Sequence, residues 1–188
     1  MTARVFVGVQ LAAPVEQPLD AAIAPLRDIH TDVVWTRPQG WHVTLAFCGD
    51  VDAASERRIG DVVADVASVT CAPVLIPRGI AVWHRRTLVL ELADEPAGAL
   101  ATVGAHLQRR LAAAGVPVAQ RDVAGHVTLA RQRRDPLAVR AAANAAQTAV
   151  DVRALASWTP EQLCVWHAEL GRGPARYVVD QAVAFASS

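Results

Sequence analysis

The sequence predicts an α+β fold: a bilobal molecule in which two antiparallel sheets, related by a pseudo-twofold axis and flanked by helices, enclose a central cleft. Three observations carry this. The tetrapeptide His42-Val43-Thr44-Leu45 recurs as His126-Val127-Thr128-Leu129. Each copy leads into a helical pattern and then a hairpin pattern, once from Trp41 to Leu92 and again from Gly125 to Phe185. No Pro/Gly/Ser-rich linker parts the halves, so the 188 residues are expected to form a single domain, 1–188, of two intertwined lobes.

Arg4 to Leu11 reads as a strand, with Val5, Val7, Val9 and Leu11 alternating against Arg4, Phe6, Gly8 and Gln10. Leu19, Ile23 and Leu26 space a helix over Pro14 to Ile29, which Pro25 should kink or shorten. Trp35 to Gly40 reads as a loop delivering the chain into the first motif strand, Trp41 to Cys48, which Gly49-Asp50 closes. After Asp52, Ile59, Val62, Val63, Val66 and Val69 form one apolar helical stripe. Val74 to Val82 and Thr87 to Leu92 make a hairpin around His84-Arg85-Arg86. Asp94-Glu95-Pro96 opens the next helix, whose stripe is Leu100, Val103, Leu107 and Leu111, and Gly115 and Pro117 end it. The second motif strand follows Gly125 and runs to Arg131. Asp135-Pro136 starts an alanine-rich helix to Val150, and Gln162 to Glu169 with Arg176 to Phe185 closes the chain as a hairpin around Leu170 to Pro174.

Composition limits the function classes. A 53% hydrophobic chain of formal net charge +0 is expected to be compact and soluble, and unsuited to coating a nucleic-acid duplex. A local basic pocket remains open to it. All 18 basic residues are Arg, which grips phosphate with a planar fork. Cys48, Cys71 and Cys164 have no C-x-x-C spacing, so neither a disulfide framework nor a zinc knuckle is indicated. With no signal sequence and no membrane-length apolar run, a cytoplasmic, monomeric protein without a membrane partner is expected.

The repeated tetrapeptide is where chemistry concentrates. Residues two apart in a strand share a face, so each copy offers an imidazole beside a hydroxyl while Val and Leu turn to a core. An imidazole of ordinary pKa about 6.5 is available in either protonation state near neutrality. Two of them can divide a phosphate-ester hydrolysis, one taking a proton from water and the other protonating the departing oxygen. Thr44 and Thr128 are the candidate binders of the non-bridging oxygens, their β-branch limiting the rotamers of each hydroxyl. His30, His84, His106 and His167 have no repeat partner and are read as surface or structural; Trp83, Trp158 and Trp166 are read as core.

The paired motifs, the approach from Trp35 to Trp41, the run Leu45 to Gly49, the run His126 to Arg131 and the closing Gly173-Pro174-Ala175-Arg176-Tyr177 resemble the two-histidine (2H) phosphoesterases. Within that superfamily the chain is most similar to the RNA 2′,3′-cyclic phosphodiesterase branch, called LigT-like or 2′-5′ RNA ligase-like. The resemblance implies a cofactor-free and metal-free hydrolysis of a terminal 2′,3′-cyclic phosphate, on RNA 3′ ends or small cyclic nucleotides, to a 2′-phosphomonoester. Reversible 2′-5′ ligation is implied with it. By position, His42 would protonate the leaving 3′-oxygen, His126 would activate water, and Thr44 and Thr128 would hold phosphate; the residues alone do not tell the two rings apart. Relatives often carry a basic residue directly after the first motif, where this chain has Ala46.

Four further residues are candidates for substrate binding. Arg131 matches the Arg that follows the second motif, yet simple alternation puts it on the side of Val127 and Leu129; it reaches the cleft only where the strand ends or bulges. Trp35, Phe47 and Tyr177 are candidates for stacking on a base. Alternation places Phe47 with Val43 and Leu45, toward the core. Arg133 and Arg134 extend a basic cluster that can steer an RNA end. Two other readings stand beside the enzyme: a non-catalytic nucleotide-binding module using the same cleft, and a zinc hydrolase built on His42, His126 and a third His, which lacks the usual ligand spacing.

Overall fold

The computed structural model describes residues 3–169 and 175–187. Its elements are β1 (Ala3–Gln10), α1 (Ala13–Ile29), β2 (Val33–Trp35), β3 (His42–Val51), α2 (Ala53–Ser68), β4 (Val74–Trp83), β5 (Thr87–Glu95), α3 (Ala99–Ala113), β6 (His126–Gln132), α4 (Pro136–Ala149), β7 (Gln162–Glu169) and β8 (Arg176–Ala184). The turn expected at Leu170 to Pro174, with Gly173 and Pro174 of the closing run, lies outside the described residues.

The strands form two antiparallel sheets, ordered β3-β1-β7-β8 and β2-β6-β5-β4. That order gives the repeat a different frame from motif strand, helix, hairpin. The halves that correspond are β1-α1-β3-α2-β4 and β5-α3-β6-α4-β7. In each, the motif strand pairs with the half's own first strand, while the last strand crosses to the other sheet: β4 lies beside β5, and β7 beside β1. Hence β5 is the counterpart of β1, not of β8. The additional strands β2 and β8 widen the sheets next to β6 and β7.

The periodicity that predicts the helices also explains what each buries. In α1, Val15, Leu19, Ile23 and Leu26 face the core. Pro25 neither ends nor shortens this helix; Pro18 and Pro25 both lie on its exposed side, where carbonyls left without an N–H can bind water. The α2 stripe of Ile59, Val62, Val63 and Val66 is buried, and Asp52 caps that helix by accepting from the Ser55 N–H at 2.7 Å.

Asp94 differs from its reading as a first-turn residue. It sits in β5, and its carboxylate reaches forward to the N–H groups of Gly98 at 3.1 Å and Leu100 at 2.7 Å, so α3 begins only at Ala99. Asp94→Ala removes the acceptor for two otherwise orphaned donors. A loss of about 1 kcal/mol is expected, read as a lower urea midpoint with unchanged slope. The short β2 replaces part of the expected loop, pairing Val33, Val34 and Trp35 with Gln132, Arg131 and Ala130. Three residues are too few to show alternation.

The main core runs between sheets and helices through Val5, Val7, Trp41, Leu45, Leu88 and Leu129. A smaller cluster, Phe6 with Cys164 and Trp166, sits on the opposite face of the first sheet and is covered by Tyr177 and Val179. Phe6 is thus buried although alternation sets it opposite the valines. The three cysteines are free thiols, Cys71 exposed and the others buried. Among the described residues no helix is long and apolar enough to cross a membrane.

Both motif strands bulge at the same letter. In β3, Thr44 pairs with Gly8 and Ala46 with Val7, leaving Leu45 without a partner; in β6, Thr128 pairs with Val89 and Ala130 with Leu88, leaving Leu129 without one. An extra residue reverses the alternation beyond it. Val43, Leu45 and Ala46 are therefore all buried, as are Val127, Leu129 and Ala130, while the following residue returns to the side of the His and Thr.

Candidate active site

The faces carrying His42 and Thr44 on β3 and His126 and Thr128 on β6 line one cleft of about 400 Å³. The two bulges bring Phe47 and Arg131 to the same cleft. For Arg131 this is the condition under which it reaches the site. For Phe47 it corrects the core reading: the ring is 43% exposed on the cleft wall. The two positions correspond, so one lobe presents an aromatic ring where the other presents a guanidinium.

The imidazoles are anchored alike. His42 Nδ1 lies 2.6 Å from the Gly40 carbonyl and His126 Nδ1 lies 2.8 Å from the Ala124 carbonyl, each two residues upstream. A carbonyl only accepts, so Nδ1 carries the proton in both rings and Nε2 of the neutral ring is left as the base. The chain immediately before each motif thereby fixes the tautomer of that motif.

Their surroundings differ. His42 stacks on Phe6 at a centroid separation of 4.4 Å, with Trp166 at 5.3 Å and the edge of Tyr177 at 5.0 Å. Burial in this aromatic box pushes its pKa down to about 4, against the Gly40 carbonyl, which raises it; the charges of His126 and Arg131 lower it further. His126 lies under Trp83, at 4.3 Å, and its pKa is also lowered, first by burial and then by Arg131 and His84, against the Ala124 carbonyl. Both rings are therefore neutral at neutral pH before a ligand enters. An anion between them reverses the balance, because nearby negative charge favours the protonated ring.

Tyr177 lines the cleft and packs so closely on Gly40 that a Cβ there would stand 2.9 Å from Tyr177 Cδ2. Trp35 does not line it. Its indole packs against the main core from β2, and Nε1 donates to the His30 carbonyl at 3.1 Å. Trp83, read as core, is half-buried on the cleft wall, where Nε1 donates to Glu91 at 2.7 Å. Trp166 is buried as expected, but as part of the box around His42. Trp158 is buried and pairs through its backbone with Leu75.

Several cleft residues carried no sequence signal. His84 reaches it from the β4–β5 turn, where His84 and Arg85 both hold positive φ, and Arg121 and Asp122 reach it from the segment before β6. Thr36 and Gln108 line it as well. For Gln108 a signal existed: a polar residue beside the apolar stripe of α3, one turn after Gly104. Among the described residues one group could gather a metal ion, Glu56, His167 and Asp180, and it lies on α2, β7 and β8 rather than in the cleft. There His167 pairs with Glu56.

Comparison with known proteins agrees with this architecture. A family profile described as the 2′-5′ RNA ligase superfamily matches residues 15–172. The fold is that of E. coli LigT, at 18% identity with 99% of each chain covered and a TM-score of 0.68. It is likewise that of TT0787 of Thermus thermophilus, at 18% identity, 97% of each chain and 0.74. The MHV ns2 PDE domain is similar over 70% of this chain and 81% of its own, at 15% identity and 0.52. No curated protein sequence matches. With the profile covering most of the chain, and two His-x-Thr strands facing one cleft between two antiparallel four-stranded sheets, the protein belongs to the 2′-5′ RNA ligase superfamily of two-histidine phosphoesterases.

Proposed function

We propose that this protein hydrolyses a 2′,3′-cyclic phosphate, at an RNA 3′ end or on a small nucleotide, to the 2′-phosphomonoester. The observation that carries the reading is the matched pair of imidazoles, each anchored through Nδ1 to the carbonyl two residues before it, with a threonine beside each ring in the same cleft. Binding alone has no need of two proton carriers held in one tautomer.

In the proposed step a water oxygen attacks phosphorus while its proton passes to Nε2 of His126. The bond from phosphorus to the 3′-oxygen breaks, and the Nε2 proton of His42 goes to that oxygen. The two side chains exchange protonation states and no charge is lost. His42 takes up its proton with the anionic substrate, because the phosphate between the rings favours imidazolium. The hydroxyls of Thr44 and Thr128 and the guanidinium of Arg131 hold the non-bridging oxygens, where negative charge grows in the transition state. Phe47 and Tyr177 offer flat apolar surface for a base. With a 5′-hydroxyl in place of water as the attacking group, the same step would form a 2′-5′ linkage, and its reverse would cleave one.

Solved structures of E. coli LigT in complex with 3′-AMP and with phosphate support a small nucleotide as the ligand of this cleft. The test is to offer a short RNA ending in a 2′,3′-cyclic phosphate and identify the product by ³¹P NMR. A 2′-phosphate is expected. A 3′-phosphate would reverse the leaving group, and binding of a nucleotide monophosphate without turnover would reduce the protein to a binding module.

A further inference from the structure

A bulge leaves backbone groups that the strand ladder cannot use, and here each bulge is closed by the segment leading to the opposite motif. At the first motif the Leu45 carbonyl accepts from Gln108 Nε2 at 2.9 Å. The same amide holds the approach to the second motif, donating to the Arg121 carbonyl at 3.0 Å and accepting from the Arg121 N–H at 3.0 Å. Gln108 is 3% exposed, and these side-chain hydrogen bonds all go to backbone. One turn earlier, Gly104 admits the same segment: a Cβ there would lie 2.3 Å from Val123 Cγ2. The Ala119 N–H then donates to the Phe47 carbonyl at 2.9 Å, just past the bulge.

The second motif is closed in the same manner from the other side. Thr36 Oγ1 lies 2.6 Å from the Thr128 carbonyl and 2.8 Å from that of Leu129, and the Thr36 N–H donates to the Leu129 carbonyl at 2.9 Å. Thr36 Oγ1 in turn accepts from Nε1 of Trp41, the residue before His42, at 2.9 Å. The approach to His42 therefore grips the bulge beside His126, and the approach to His126 grips the bulge beside His42. The two clamps are reciprocal in the half each comes from, although one is a helix side chain and the other a loop residue.

We infer that Gln108 and Thr36 are positioning residues that hold the two bulges, and through them the facing of Phe47 and Arg131 and the relative placement of the two imidazoles. The kinetic side of this inference rests on the proposed hydrolysis; the geometric side does not. Gln147 provides a comparison, since its amide donates to the Ile80 carbonyl at 2.8 Å, joining α4 to β4. It has the same bond type, but its hydrogen bond goes to β4 and to neither motif strand.

The experiment compares Gln108→Met, Gln108→Glu, Thr36→Val, Thr36→Ser and Gln147→Met. Each is measured for urea stability, for kcat and KM on the cyclic-phosphate RNA, and for the imidazole resonances of His42 and His126. Gln108→Met and Thr36→Val are expected to lower kcat by about 10- to 100-fold, as misplacement by about 1 Å does, with smaller changes in KM. The resonances of both histidines should move. Thr36→Ser keeps the hydroxyl and should restore kcat. Gln108→Glu loses its donor as a carboxylate and regains one on protonation, so its kcat should recover relative to Gln108→Met as pH falls. Gln147→Met should alter stability alone. Loss of stability with kcat and resonances unmoved overturns the inference, as does an equal loss of kcat in Gln147→Met. If either apolar variant does not fold, Thr36→Ser and the pH response of Gln108→Glu decide by the same criteria. Should the wild type turn over no cyclic phosphate, the hydrolysis reading falls alone, and unmoved resonances in the variants would separately overturn the clamp.

Discussion

His126→Asn lowers turnover of a 2′,3′-cyclic phosphate by about 10²- to 10⁴-fold, and His42→Asn does the same. Asparagine keeps an N–H donor for the Ala124 or Gly40 carbonyl that each ring engages, so the strand and its bulge stay in place while the proton carrier is lost. The double variant should be little worse than either single one, because the two rings act as a unit. Single-turnover rates on the cyclic-phosphate RNA, with circular dichroism to confirm folding, check this. A variant retaining more than about a tenth of the wild-type rate would remove that ring from proton transfer.

The same rings set the pH response. In the free protein His42 titrates at about 4 and His126 below its ordinary value. The profile of kcat/KM is therefore a bell lying on the acid side of neutrality. That of kcat, which reports the complex, is displaced upward by the bound anion. Stability follows by linkage. A histidine whose folded pKa is depressed contributes stability that is present above about pH 6.5, its unfolded value, and is lost as pH falls toward the folded value. His42→Asn should therefore lose less stability between pH 7 and pH 4.5 than the wild type does, measured by urea midpoints at the two pH values.

Gly8→Ala is expected to be the most damaging single methyl near the site. A Cβ at Gly8 would stand 2.2 Å from the Val43 carbonyl oxygen, 3.1 Å from its carbon and 3.3 Å from Thr44 Cα. All three are backbone atoms, so no side chain can swing away and β1 must part from β3 beside the first motif. Overpacking of this kind costs about 1–3 kcal/mol. It also carries His42 and Thr44 with it, so the urea midpoint and kcat should fall together. Unchanged activity in a folded Gly8→Ala protein would mean that the first motif tolerates movement relative to the second.

Much of this was legible in the residues. Helix α2 and strand β7 could be read almost to their ends, because a stripe at spacings of three and four, or an apolar run between turn residues, identifies an element by its own side chains. The repeated tetrapeptide located the histidines and threonines for a similar reason, since the same letters at corresponding places imply the same surroundings. What could not be read was whatever depends on pairing. The bulges at Leu45 and Leu129 exist only relative to a neighbouring strand, so alternation turned Phe47 and Arg131 the wrong way. Trp35 has the composition of a stacking residue, and only the pairing of β2 with β6 shows its indole turned to the core. The swapped positions of β4 and β7 leave no trace in local pattern, because each strand satisfies its alternation in either sheet.

The exchange of β4 and β7 constrains how the molecule is made. The first sheet cannot be completed until nearly the whole chain is present: β1, which ends at Gln10, must wait for β7, which begins at Gln162. During synthesis the amino-terminal portion leaves the ribosome with an unfinished edge at β1, and closing so long a loop is entropically costly and slow. Cooperative folding should therefore come late, when nearly the whole polypeptide has emerged, and a fragment cut near the β4–β5 turn should find a stable partner only in its complement.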